Sequence, residues 1–226
     1  MVEIKKGQEP RELLWYRQQR GASYEEMDRE VKEEIREQLL KEQGHLCAYC
    51  MRRIPEKRIL PGGVKNVTIE HWLPRNPENQ EDVGQGLNYR NMFAVCSGNR
   101  GCGDKKNMTC DAHRGNAPIK VNPCDIDTLR DISYTSSGRI QSSDLRINKD
   151  INEILNLNCE QISLPENRKR ALQTLIEEIR KACGKGDITL YCERKLRKLR
   201  ETRDWKIPYV GILIWWLEKK LQQSNN

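Results

Sequence analysis

No apolar run in this chain is long enough to cross a bilayer. The longest, Val210–Leu217, falls far short of the roughly 20 residues that a spanning helix needs, which excludes one. The start, Met1-Val2-Glu3-Ile4-Lys5-Lys6, has no apolar secretory core, so the sequence predicts a cytoplasmic protein with no membrane association. Aromatics are scarce at 6% against 32% charged residues, the composition of a polar, soluble chain. No internal repeat or low-complexity tract occurs. An even cysteine count is missing as well. Nine cysteines, no leader and a Cys-x-x-Cys spacing argue against a disulfide framework and for a reducing compartment with some thiols on zinc.

With 226 residues the chain can bury one substantial core, or one module with an appended subdomain. The net charge of +7 is unevenly placed. Residues 168–206 hold 13 Lys/Arg against 6 Asp/Glu, whereas Glu25–Glu37 holds seven carboxylates against three bases. A local positive field of this kind suits a polyanion, although a solvated helix face gives the same pattern.

Ser23-Tyr24-Glu25-Glu26 reads as a capping box that opens a helix ending at Gly44, with a shorter helix around Arg11–Arg20 before it. Met27, Val31, Ile35 and Leu39 give the longer helix one apolar stripe. From His45 to about Pro123 helical periodicity stops and Gly, Pro and Asn become frequent. Val67-Thr68-Ile69 and Met92-Phe93-Ala94-Val95 read as short strands, and the Asp111–Arg114 region as a short helix. A polar loop over Ser133–Asp144, with a turn at Ser137-Gly138, precedes three helices. The first runs from Pro165 to about Cys183 and is closed by Gly184 and Gly186. Asp187 caps the second, and Pro208 opens the third. In that last helix Val210, Leu213, Ile214, Leu217 and Leu221 form an apolar face; with Trp215 or Trp216 it is core or a docking surface, core being the usual fate of such faces.

The middle segment carries the chemistry. Cys47-x-x-Cys50 places two thiolates on one turn, half of a tetrahedral zinc site, and Cys96 and Cys110 are the best second half, with Cys102 a competing ligand. Between these pairs stand Glu70-His71 and Asn91. A neutral imidazole can take a proton from water near pH 7, which suits His71 to act as a base in phosphodiester hydrolysis. Glu70, with Asp111 or His113, offers ligands to a second divalent ion. The amide of Asn91 can donate to and accept from the loop after the His71 strand, a brace rather than a reactant. Trp72 and Tyr89 read as packing groups; Arg75, Arg114 and Lys120 are candidate phosphate holders.

Cys47-x-x-Cys50, Glu70-His71-x-x-Pro74, Asn91-x-x-x-x-Cys96 and Cys110-Asp111-x-x-Arg114 together resemble the HNH endonuclease motif. More narrowly, residues 40–180 resemble the HNH nuclease subunits of Septu-type anti-phage systems, many of them retron-associated. The resemblance implies a ββα-metal fold with His71 as general base, Asn91 orienting it, and a third polar residue on Mg²⁺ or Mn²⁺. It also implies an ABC/SMC-like ATPase partner and, in retron systems, a reverse transcriptase with its DNA–RNA product. Three positions depart from the family pattern. Glu70 stands where many members have Asp, Ser97–Thr109 is inserted between the second pair of cysteines, and the third motif position is Asp111 rather than His. The expected architecture is α+β: a helical segment over residues 1–44, a zinc-clipped ββα-metal core over 45–125, and a basic, mainly helical subdomain over 126–226 able to dock a partner. The expected activity is cleavage of nucleic acid, DNA before structured RNA such as tRNA. A zinc-stabilised binding or adaptor module without catalysis is the alternative.

Overall fold

In a computed structural model the protein is described over residues 1–55, 66–75, 85–183 and 188–224. Helix α1 (Arg11–Arg17) buries Leu13 and Tyr16, and α2 (Arg29–Glu42) buries Ile35 and Leu39 one turn apart. The α2 terminus is a Schellman turn: Gly44 N–H donates to Lys41 O at 3.2 Å and His45 N–H to Leu40 O at 2.8 Å, with both residues at positive φ. Its beginning differs from the expected capping box. Ser23 Oγ does accept from Glu26 N–H at 3.2 Å, but the Ser23 carbonyl is taken by the Tyr16 hydroxyl at 2.9 Å instead of by a helical N–H. The chain therefore makes an isolated turn and α2 starts only after Asp28.

Strand β1 (Val67–His71) pairs antiparallel with β2 (Met92–Cys96), setting Val67 opposite Cys96 and His71 opposite Met92. Every β2 residue is buried, because helix α2 and the Cys47 turn cover the strand. The Gln43 amide clamps Ala94 on both sides, donating to its carbonyl at 2.7 Å and accepting from its N–H at 2.8 Å. After a looped segment the short helix α3 (Cys110–Arg114) completes a strand–strand–helix unit.

Helix α4 (Ile126–Leu129) leads into a second hairpin, β3 (Ile132–Tyr134) and β4 (Ile140–Ser142), at the expected Ser137-Gly138 turn. Asp144 caps α5 (Leu145–Lys149), which runs on into a single π-helical turn, Asp150–Ile154. Three longer helices follow, α6 (Leu164–Cys183), α7 (Ile188–Glu201) and α8 (Val210–Ser224). The starts of α6 and α8 fall within two residues of the expected Pro165 and Pro208; Gly184, Gly186 and Asp187 lie outside the described residues. Val210, Leu213 and Leu217 of α8 are buried against α6, α7 and β3, so that apolar face is core.

All three expected segments share one continuous core, from Met1 to Leu217. The N-terminal residues are tied into it by Ile4 N–H on Pro123 O at 2.8 Å, and by Lys6, whose ammonium donates to Met92 O at 2.8 Å and lies 4.0 Å over the Tyr89 ring. Gly138 joins the hairpin to α6. It sits at φ +83°, a Cβ there would lie 2.1 Å from Pro165 O, and its carbonyl accepts from the fully buried Arg168 Nε at 2.6 Å. Arg168 also donates to Leu157 O and Asn158 Oδ1. Gly138→Ala is expected to cost at least about 2 kcal/mol, from backbone strain together with the clash, read as a lower urea midpoint at unchanged slope.

Candidate functional site

The thiols of Cys47, Cys50, Cys96 and Cys110 are buried, and their sulfurs lie within 4.8 Å of one another. Measured pairs are 3.7 Å (Cys47–Cys110), 3.8 Å (Cys50–Cys96) and 3.9 Å (Cys96–Cys110). A Zn–S bond of about 2.3 Å places tetrahedral sulfurs about 3.8 Å apart, so this cluster could hold a zinc ion with little rearrangement. Two tight turns present the ligands. In the first, Cys47 N–H donates to Arg52 O and Met51 N–H to Cys47 O, both at 3.0 Å. In the second, Gly98 sits at φ +58°, where a Cβ would meet Thr109 O at 2.2 Å. Burial pushes the Cys50 and Cys110 thiols well up, while hydrogen bonds from Cys110, Cys47 and Cys50 pull Cys96 well down. Without a cation, then, one thiolate is stabilised at the expense of its neighbours. Burial disfavours the charge on Arg52, yet Cys50, Cys96 and Cys110 outweigh it and hold that guanidinium above its ordinary range.

Cys102 does not compete for the cluster. It lies exposed in the Ser97–Thr109 insert with its thiol on Asp104 O at 3.2 Å. Two short 3-10 turns in the insert carry Cys102 outward and return the chain to Cys110, and Asn156 fastens the return by donating to Lys106 O at 3.0 Å and Met108 O at 2.8 Å.

The register of β1 puts Glu70 and His71 at the strand end beside α3. Glu70 is buried next to Asp111, whose charge acts on its carboxyl, and forms an ion pair with Arg114; Tyr49 OH donates to it at 3.2 Å. Asp111 and Arg114 are three residues apart on α3 and so share a face. Burial, then the Asp111 charge, push the Glu70 carboxyl up to about 8 against the opposing Arg114. Asp111 also pairs with the half-exposed Arg100 at 2.6 Å. The His113 ring turns the other way, with Nδ1 on Ile154 O at 2.8 Å, so of the two candidate ligands Asp111 is the one beside Glu70.

The His71 imidazole is buried, with Nε2 3.0 Å from Gly86 O. A carbonyl only accepts, so Nε2 carries the proton and Nδ1 keeps its lone pair, with no hydrogen-bond partner among the described residues. Burial, partly opposed by the Gly86 contact, lowers its pKa to about 4, so the ring is neutral at pH 7. Asn91 accepts from Leu73 N–H at 2.7 Å and donates to Leu73 O at 3.0 Å and Gln85 O at 3.4 Å, the contacts the brace reading calls for. Trp72 and Tyr89 pack, Trp72 donating to Val121 O at 2.9 Å.

The three candidate phosphate holders separate. Arg75 is near His71: it pairs with Glu25 and lies 4.4 Å over Tyr24, whose ring stands edge-on to the imidazole at 4.6 Å. Arg114 is corrected. Its side chain has no exposure and is spent on Glu70, on the His71, Trp72 and Ala117 carbonyls and on Tyr49, so it braces the site and cannot reach a phosphate. Lys120 pairs with Asp144 at 2.5 Å, and among the described residues its ammonium has no contact with Glu70, His71 or Asp111. Sequence reasoning missed Tyr24, Tyr49 and Arg100. Tyr49, inside the Cys-x-x-Cys loop, was the one with a signal, since a zinc turn fixes where its central residues point.

No protein-family model matches the chain, and no curated protein matches it in sequence. The chemistry of the site rests on its own residues.

Two outcomes are expected. Purified protein carries one zinc per chain by elemental analysis; Cys110→Ser loses it and Cys102→Ser keeps it. The second concerns pH. Because the folded-state pKa of Glu70 lies above its ordinary value, folding binds its proton more tightly, and that stabilisation is present at acid pH and lost as pH rises from about 4.5 through about 8. In buffer without added divalent ions, the fall in stability of the wild type relative to Glu70→Gln over this window, read by urea melts, checks it.

Proposed function

We propose that this protein is a metal-dependent HNH-type endonuclease that hydrolyses phosphodiester bonds of nucleic acid, the effector of an anti-phage defence complex controlled by an ABC/SMC-like ATPase. The observation that carries the reading is His71: a neutral imidazole, fixed through Nε2 with its Nδ1 lone pair left over, next in the strand to Glu70 and near enough to Asp111 to feel its charge. Perturbed titratable groups cluster at functional sites, which makes this group of residues a candidate for one. The strand–strand–helix order, with His71 ending one strand and Asp111 on the helix, agrees with the resemblance of the Glu70-His71, Asn91 and Asp111 motifs to HNH enzymes. The ATPase and a retron reverse transcriptase with its DNA–RNA product enter on that resemblance alone.

In this mechanism Nδ1 of His71 takes the proton as water attacks phosphorus, and Gly86 O keeps the ring from rotating. Asn91 holds the two ends of the loop that supplies Gly86. Glu70 and Asp111 would hold Mg²⁺ or Mn²⁺, hard ions that prefer oxygen, with their carboxylates turned from the guanidiniums of Arg114 and Arg100 toward the ion. The ion would supply charge neutralisation at the phosphodiester. Arg75 and Arg100 take nonbridging oxygens. DNA is the favoured substrate, with structured RNA such as tRNA as the alternative.

A non-catalytic zinc-stabilised nucleic-acid-binding or adaptor module draws support from one observation, the Arg114–Glu70 ion pair, which would give Glu70 a purely structural part. The two readings are separated by His71→Ala. The protein, alone and in any complex it copurifies with, is incubated with labelled DNA and total tRNA, with Mg²⁺ and with chelator. The variant is expected to lose about 10²–10⁴-fold in cutting rate while keeping its zinc and melting temperature. Cutting at the wild-type rate by a folded variant would remove the enzyme from consideration.

A further inference from the structure

A cleft of about 510 Å³ opens between α6, α8 and the β3–β4 turn, outside the groups discussed so far. Lys169 and Gln173 line it from α6; Trp215, Trp216, Lys219 and Lys220 line it from α8. On each helix these positions recur at three- and four-residue spacing, so both present a continuous stripe to the opening. The lining contains no aspartate or glutamate. Lys169 has Glu166 one turn back at 3.8 Å, but no described acidic group pairs with the Lys219 or Lys220 ammonium. Both indoles are half-buried. Trp215 leans on Tyr134 at 5.9 Å between ring centres, and Lys219 lies 5.3 Å over the Trp215 ring.

We propose that this cleft binds single-stranded nucleic acid, with backbone phosphates on Lys169, Lys219 and Lys220 and a base against the two indoles. Its volume falls within the roughly 300–1,000 Å³ of ligand clefts. Ammonium groups beside recessed indoles match a phosphate–base repeat, in which cations track the backbone and aromatic faces take bases. An apolar protein helix is a poorer occupant, because it would strip water from three ammonium groups without returning a counter-charge. A duplex is poorer too, since its bases are stacked on one another and cannot enter. The site is separate from Glu70, His71 and Asp111, so it stands whether or not those residues cut.

The test reads binding alone. On a His71→Ala background, fluorescence anisotropy follows a labelled mixed-sequence 15-mer, as DNA and as RNA, with two variants: Lys219→Gln/Lys220→Gln, and Trp216→Leu, which keeps apolar packing but removes the flat ring. The lysine variant is expected to weaken binding at least about tenfold and to flatten the slope of log K against log salt by about 1.4, at about 0.7 per lost phosphate contact. Trp216→Leu is expected to weaken binding by about tenfold, the usual scale of one lost base stack. Unlabelled duplex should compete poorly. Unchanged affinity in either variant, with melting temperature and zinc content intact, overturns the proposal. So does duplex competing as well as single strand, or variants that lose a protein partner while still binding the oligonucleotide.

Discussion

Everything in the middle of this protein depends on four sulfurs meeting at one point. Cys47 and Cys50 follow the Schellman turn of α2, Cys96 ends β2, and Cys110 begins α3. Each ligand therefore fixes one element, and the chemistry lies a few residues from each. Cys96 stands opposite Val67, which sets the register that puts His71 at the far end of the hairpin. Cys110 is followed directly by Asp111, and Arg114 comes one turn later. These elements also share the common core through Val67, Ile69, Met92, Phe93 and Val95. A zinc ion closed by the four sulfurs would add to that packing, with apparent binding energies of about 10–16 kcal/mol in small zinc domains. On four thiolates it would still leave two negative charges. Arg52 feels the cluster, as does the fully buried Arg168, which has no carboxylate partner among the described residues and whose burial depresses its pKa despite Cys50 and Cys110.

That frame also confines charge. Glu70, Asp111 and Arg114 are held together where water is largely excluded, and the competition between burial and pairing leaves Glu70 easy to protonate. Arg114 is the quiet member of the set. By grasping the His71 and Trp72 carbonyls as well as Glu70, it links the end of β1 to α3 and so converts a zinc-defined position into a defined carboxylate pair. Arg100, carried by the insert, reaches back to Asp111 from the outside.

Much of this was legible in the sequence, and for identifiable reasons. Cys47 and Cys50 of the cluster could be named because Cys-x-x-Cys geometry is local. Asn91 could be given its partners because an amide that follows a loop has few other uses. The strands could be placed because Val67-Thr68-Ile69 and Met92-Phe93-Ala94-Val95 are short apolar runs between turn formers. What could not be read depended on distant contacts. The capping box at Ser23 failed because Tyr16 takes the Ser23 carbonyl. Arg114 reads as a surface base until its burial is known. Cys102 stays a rival to the preferred Cys110 until the insert is seen to turn it outward. Asp111 and His113 separate only because a helix sends alternate residues to different sides.

The Asn91 amide has a consequence beyond bracing. By holding Leu73 on one side and Gln85 on the other, it closes the neck of the segment between them, so that Gly86 reaches His71 from a fixed point. Closing a longer loop across a fixed neck costs only about 0.6 kcal/mol per doubling of its length. The place of the imidazole is therefore set by the residues at the neck, Leu73, Gln85 and Gly86, and not by how many residues lie between them.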